Sequence, residues 1–167
     1  MKKNLQLLFN ECLDNATDEE LQAIKQLLDG VRRKQTKDNG SFIGGIYGMK
    51  REMRDGKLEV TMPITPVIYN SLGIVHGGVT ATLIDSAMGT LANIVLPDEY
   101  GAVTTNLTIH YLAPGKGEQL TAKATIVHRG SKTLVIEGSV LNDDGKAIAH
   151  CTGSFFIFKR KNNSTNN

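Results

Sequence analysis

The stretch Asn70-Ser71-Leu72-Gly73-Ile74-Val75-His76-Gly77-Gly78 and the acidic residue that follows it, Asp85, are where the chain concentrates groups able to do chemistry. Two glycines where a loop enters a helix let the backbone come very close to a ligand. The N–H groups at a helix start point outward, and the helix dipole favours negative charge there. Such a place can hold the oxyanion formed when a carbonyl is attacked, an effect worth about 3–4 kcal/mol for a well-aimed donor. A tight turn would also ask for small residues, so His-Gly-Gly alone leaves both readings open. Asp85 shifts the balance. It sits among Leu83, Ile84, Ala87 and Met88, and a carboxylate is costly to bury unless it is paired or used. In a cleft it could act as general base on water or attack the carbonyl itself. A surface position or a structural hydrogen bond is the alternative.

Spacing adds a constraint. Asp85 lies eight residues past Gly77, about 12 Å along a helix axis at 1.5 Å per residue. One carbonyl cannot lie within ~3 Å of both. Either the two serve different purposes, or a two-fold dimer brings Asp85 of one chain to Gly77 of the other.

The elements that must hold these groups follow from periodicity. Val79, Leu83, Ala87, Leu91 and Val95 recur at one-turn spacing, with Ala81, Ile84, Met88 and Ala92 widening the face. This predicts a helix over 78–95 that is apolar nearly all round and therefore buried. Strands are expected at 44–53 and 57–65 around an Arg54-Asp55-Gly56 turn, then at 102–112, 118–128, 132–142 and 146–158. Alternation in the third strand places Val103, Thr105, Leu107, Ile109 and Tyr111 on one side. The fold class is α+β, an antiparallel sheet curled around one long helix. Ahead of it, residues 4–36 read as helix, turn and helix. Thr17 and Glu20 form a capping box there, and Leu21, Ile24, Leu27, Leu28 and Val31 repeat at helical spacing. The polar run Thr36–Ser41 marks a boundary. We therefore expect a helical extension over 1–40 packed on the body, a main domain over 41–160 and a disordered tail over 161–167. A docking arm is the other use of the extension.

At 167 residues with 40% hydrophobic and 22% charged side chains, the chain suits one globular domain needing no disulfide or metal. A net charge of +2, with basic clusters only at 32–34 and 159–161, argues against a nucleic-acid partner. Cys12 and Cys151 are far apart without metal spacing. No run approaches the ~20 apolar residues of a membrane span. A reducing cytoplasm is the expected setting.

Asn70, Gly73, His76-Gly77-Gly78 and Asp85, in this order and spacing, resemble the motif of the PaaI-like hotdog thioesterases. The similarity runs over about residues 45–158 and continues through Thr108-Ile109-His110-Tyr111-Leu112-Ala113-Pro114-Gly115. The resemblance implies a hotdog fold that hydrolyses acyl-CoA to a free acid and CoA, with neither metal nor organic cofactor. It makes Asp85 the base or nucleophile and the Gly77 N–H the oxyanion donor, with His76 shaping the loop. Gly78 would let substrate approach, and Asn70 would orient water or thioester from a partner subunit. Thr104 falls where some relatives place a hydroxyl that holds the water. Arg129 and Lys132, flanking a strand turn, would meet the nucleotide phosphates of CoA. A homodimer is the minimal unit and a homotetramer the expected assembly. His110, His128 and His150 are expected in structural or solvent-facing roles. Two rivals stand beside this: a hotdog hydratase or dehydratase, and a non-catalytic acyl-CoA sensor with the extension as its output arm.

Overall fold

The computed structural model describes residues 1–38, 40–54 and 57–161. Asp55 and Gly56 of the expected hairpin turn, and residues 162–167 of the tail expected over 161–167, lie outside the described residues. The elements run α1 (Lys2–Asp14), α2 (Asp18–Gln35), α3 (Phe42–Ile46), β1 (Lys50–Arg54), β2 (Lys57–Pro63), α4 (Gly77–Ile94), β3 (Tyr100–Tyr111), β4 (Gln119–Arg129), β5 (Thr133–Asn142) and β6 (Ala147–Lys159). A single 3-10 turn, Pro66–Ile68, precedes the loop that feeds α4.

All strand pairs are antiparallel, in the order β1-β2-β4-β5-β6-β3. Long strands twist, so a sheet this wide curls and can enclose one helix. α4 fills that concavity, packing against β2 through β6. Its buried face is Thr80, Leu83, Ile84, Ala87, Met88, Leu91 and Ala92, which meets Val60, Met62, Leu120, Ile136, Val140 and Phe155 in one core. The expectation of a helix buried all round needs correction. Asp85, Ser86, Gly89, Thr90 and Asn93 form a second, half-buried strip, because small and polar side chains interrupt the apolar face there.

Two further corrections come from local chemistry. The strand expected over 44–53 begins only at Lys50. Ser41 caps α3 instead, its Oγ accepting from the Gly44 N–H at 3.0 Å, and Gly45 lies against the Gly30 carbonyl too closely for any side chain. The alternation expected along β3 also breaks. Its register against β6 shifts between Thr104 and Asn106, so Thr105 is an extra residue. Ala102 and Thr104 face α4 before the bulge, and Leu107 and Ile109 face it afterwards. A bulge resets the two-residue period in this way.

The extension forms its two helices with the expected capping box: Thr17 Oγ1 accepts from the Glu20 N–H, and Glu20 Oε2 accepts from the Thr17 N–H. α2 rests on α3, whereas α1 buries no residue.

Candidate active site

The loop before α4 is held by its own side chains. Asn70 Oδ1 accepts from the Leu72 N–H at 2.9 Å and the Ile74 N–H at 3.4 Å. Gly73 turns the chain at φ +68°, a conformation cheap only for glycine. The His76 N–H donates to the Ile68 carbonyl, and Val75 donates to Gly115. Among the described residues the Asn70 side-chain nitrogen donates to no protein acceptor.

At the start of α4 every donor can be followed. The Val79 and Thr80 N–H groups go to the His76 carbonyl at 2.9 and 3.1 Å. His76 is the N-cap, and its Nδ1 accepts from the Gly78 N–H at 2.9 Å, which leaves its proton on Nε2 when the ring is neutral. Among the described residues the Gly77 N–H donates to no protein acceptor. It is therefore the one first-turn donor available to a ligand at the positive end of the helix. The Gly78 N–H is engaged, and a Cβ at Gly78 would lie 3.1 Å from His76 Nδ1. The Gly77 carbonyl accepts from the Tyr111 hydroxyl at 2.9 Å, which fixes the orientation of the peptide that follows Gly77. Sequence reasoning did not single out Tyr111 for this contact; its place in the Thr108–Gly115 run was the available signal.

Two turns on, Asp85 lies half-buried on the second strip of α4, and Thr104 Oγ1 donates to its Oδ1 at 2.9 Å. The bulge at Thr105 is what points Thr104 at the helix. Asp85, Ser86, Gly89, Thr90, Asn93 and Arg51 line an open groove of about 540 Å3. β3 tracks the whole of α4, with Tyr111 beside Gly77, Thr104 beside Asp85 and Ala102 beside Asn93. Among the described residues its other edge carries no strand. Cys151 is buried against Met88, and its thiol is pushed up to about 11 by that burial and then by the Asp85 carboxylate. Such a thiol is inert at neutral pH.

The remaining expected residues lie apart. Arg129 ends β4 and Lys132 precedes β5, both exposed; Arg129 is on the rung of Thr104, with β5 and β6 between them. His150 Nε2 pairs with Glu137 Oε1 at 2.8 Å, and His110 sits across from His150 in the β3–β6 ladder. No group of three or more His, Cys, Asp or Glu side chains among the described residues could hold a metal ion. No described helix is long and apolar enough to cross a membrane.

A six-stranded antiparallel sheet packed around one long helix, with a glycine loop at the helix start, defines a hotdog-fold enzyme. The pattern of the thioesterase superfamily matches residues 72–149. The chain is 34% identical to acyl-coenzyme A thioesterase PaaI of Escherichia coli, over 58% of this chain and 68% of the relative. It is 36% identical to acyl-coenzyme A thioesterase 13 of Mus musculus, over 56% of this chain and 67% of that one. The crystal structure of a Bacillus halodurans protein with CoA superposes at TM-score 0.84 and 41% identity, covering 89% of this chain and 99% of that one. Residues 41–167 are 127 of 167, about 76%, so that match extends into the helical extension. The chain belongs to the thioesterase superfamily, in its PaaI-like hotdog branch, and is an enzyme of thioester hydrolysis.

Proposed function

We propose that this protein hydrolyses acyl-CoA to a free acid and CoA at a site shared between two chains. The observation that carries this reading is the pairing on α4 of a free Gly77 N–H with a half-buried Asp85 carboxylate held by Thr104. In one chain they are about two turns apart and cannot act on one carbonyl. A two-fold mate along the open edge of β3 brings the Asn70–Gly78 loop of one chain over the Asp85 groove of the other. The groove and the unpaired edge both support that placement.

The chemistry is then direct. Water attacks the thioester carbonyl and gives its proton to Asp85, with the Thr104 hydroxyl and the Asn70 amide aligning the pair. The carbonyl oxygen becomes an oxyanion on the Gly77 N–H. The C–S bond breaks, and the departing CoA sulfur takes the proton from Asp85. In the nucleophilic variant Asp85 attacks first and the C–S bond breaks to release the CoA thiolate; water then opens the resulting anhydride, freeing the acid and the Asp85 carboxylate and giving its spare proton to the thiolate. Gly78 leaves room for the acyl carbonyl, and Arg129 and Lys132 meet the CoA phosphates. The relatives named for acyl-coenzyme A hydrolysis and the neighbour solved with CoA favour this substrate class. A homodimer is the working unit, two dimers form a tetramer, and the cytoplasm suits its two free thiols.

A hydratase would set a histidine against the acid. Among the described residues Asp85 is bonded by Thr104 and by no histidine, which argues for hydrolysis. Thiol release from a panel of acyl-CoAs tests the reading. Turnover of at least one acyl class is expected, and tight binding of all of them without release would make the protein a sensor instead.

A further inference from the structure

α2 sits on the body by its polar face. Gln26 Nε2 donates to the Ile46 carbonyl at 2.8 Å, and Arg33 Nη1 donates to the Gly45 carbonyl at 3.2 Å. Between them Gly30 is so close to α3 that a Cβ would lie 2.5 Å from Ile46 Cα. These three share one helical face at i, i+4, i+7. The face turned away from the body carries Leu21, Ile24, Leu28 and Val31, with Leu27 beside them. Leu21, Leu27, Leu28 and Val31 are 39–52% exposed. A contiguous apolar face left in water marks an interaction surface.

The pattern of that face names its occupant. Positions 21, 24, 28 and 31 follow the three-four spacing of a coiled-coil seam, and they are symmetric about Gln26. So are the charges: Asp18, Glu19 and Glu20 fill the first turn of α2, and Arg32, Arg33 and Lys34 fill the last. The helix dipole alone would explain the signs, but not an apolar seam mirrored about the same centre. Two copies of α2 laid antiparallel set Leu21 against the second copy's Val31 and Ile24 against its Leu28. Each acidic end then meets a basic end. A parallel pair would stack acid on acid, and an anionic lipid surface would be repelled by the first turn. The cleft between α1 and α2, lined by Cys12, Ala23, Ile24 and Leu27 with Glu11 and Glu20 at its sides, opens beside the same seam.

We infer that α2 is an interface between copies of this chain, built as an antiparallel α2–α2 pair across a two-fold axis separate from the one that completes the active site. It does not depend on the substrate. Disulfide trapping tests the register. In a Cys12→Ser background, the double variant Ile24→Cys/Leu28→Cys should form a covalent dimer under mild oxidation, and neither single variant should. A dimer from Ile24→Cys alone would mean parallel packing and overturn the proposal, as would no dimer from the double variant. Independently, Leu21→Glu/Leu28→Glu alters only exposed side chains and should halve the mass measured by light scattering. Circular dichroism should stay that of the parent. An unchanged mass would refute the interface.

Discussion

α2 and α4 are both eighteen residues long, and they use their apolar faces in opposite ways. α4 turns Leu83, Ile84, Ala87 and Met88 into the sheet and leaves a polar strip, Asp85 among it, at the surface. α2 turns Gln26, Gly30 and Arg33 to the body and leaves its leucines in water. Periodicity therefore identifies the face of a helix that wants cover; it does not say what provides it. In α4 the uncovered strip holds Asp85 at the border of a groove.

The largest effect expected is on that strip. Asp85→Asn keeps the side chain's size and its contact with Thr104 but removes the base. It should keep the fold and lower kcat at least ~100-fold, the usual scale for a positioned acid–base group. Steady-state thiol release checks this, and turnover within a few-fold of the parent would take Asp85 out of the mechanism.

Next comes the question of whether the two ends of α4 work together only between chains. Asp85→Ala and Asn70→Ala chains, each nearly inactive alone, are unfolded, mixed in equal amounts and refolded. Half the dimers are then hybrids with one intact site of two, so activity should return to about a quarter of the parent's. No recovery, with hybrids confirmed by mass spectrometry, would place the whole site in one chain.

Arg129 and Lys132 lie on neither helix and offer a contrast. Replacing both with Ala should raise KM for an acyl-CoA severalfold and flatten its dependence on salt, since screened charges carry that contact. KM for a short thioester without the nucleotide should not move. Equal damage to both substrates would make the turn structural.

The smallest effect probes the docked face of α2. Gly30→Ala raises helix propensity by about 1 kcal/mol, yet its Cβ would press on the Ile46 backbone. Net destabilisation of about 1 kcal/mol or more is expected in urea unfolding, on the scale of an overpacked contact. A stabilised variant would show that α2 is not seated on α3 in solution.

Much of this was legible in the residues themselves. The glycine loop, its helix and the lone carboxylate are local in sequence, and local chemistry sets them. The capping box Thr17–Glu20 is of the same kind. What stayed hidden depends on register and on crossings between distant elements. Thr104 meets Asp85 because one extra residue in β3 resets its phase, and nothing in Val103-Thr104-Thr105 announces that reset. Tyr111 reaches the Gly77 carbonyl because the sheet curls far enough to run β3 beside α4. The strand expected over 44–53 starts late because the Ser41 cap and the Gly30–Gly45 crossing make its first residues a helical turn.

Thioesters also acylate thiols, and a reactive cysteine beside the Asp85 groove would compete with water for the acyl group by transthioesterification. Cys151 lies near that carboxylate, yet with its thiol at about 11 only roughly one molecule in ten thousand carries a thiolate at pH 7. Its sulfur is turned to Met88 inside the core, with Sγ 3.7 Å from Sδ. The same desolvation that keeps the proton on Cys151 therefore keeps the acyl group off this sulfur.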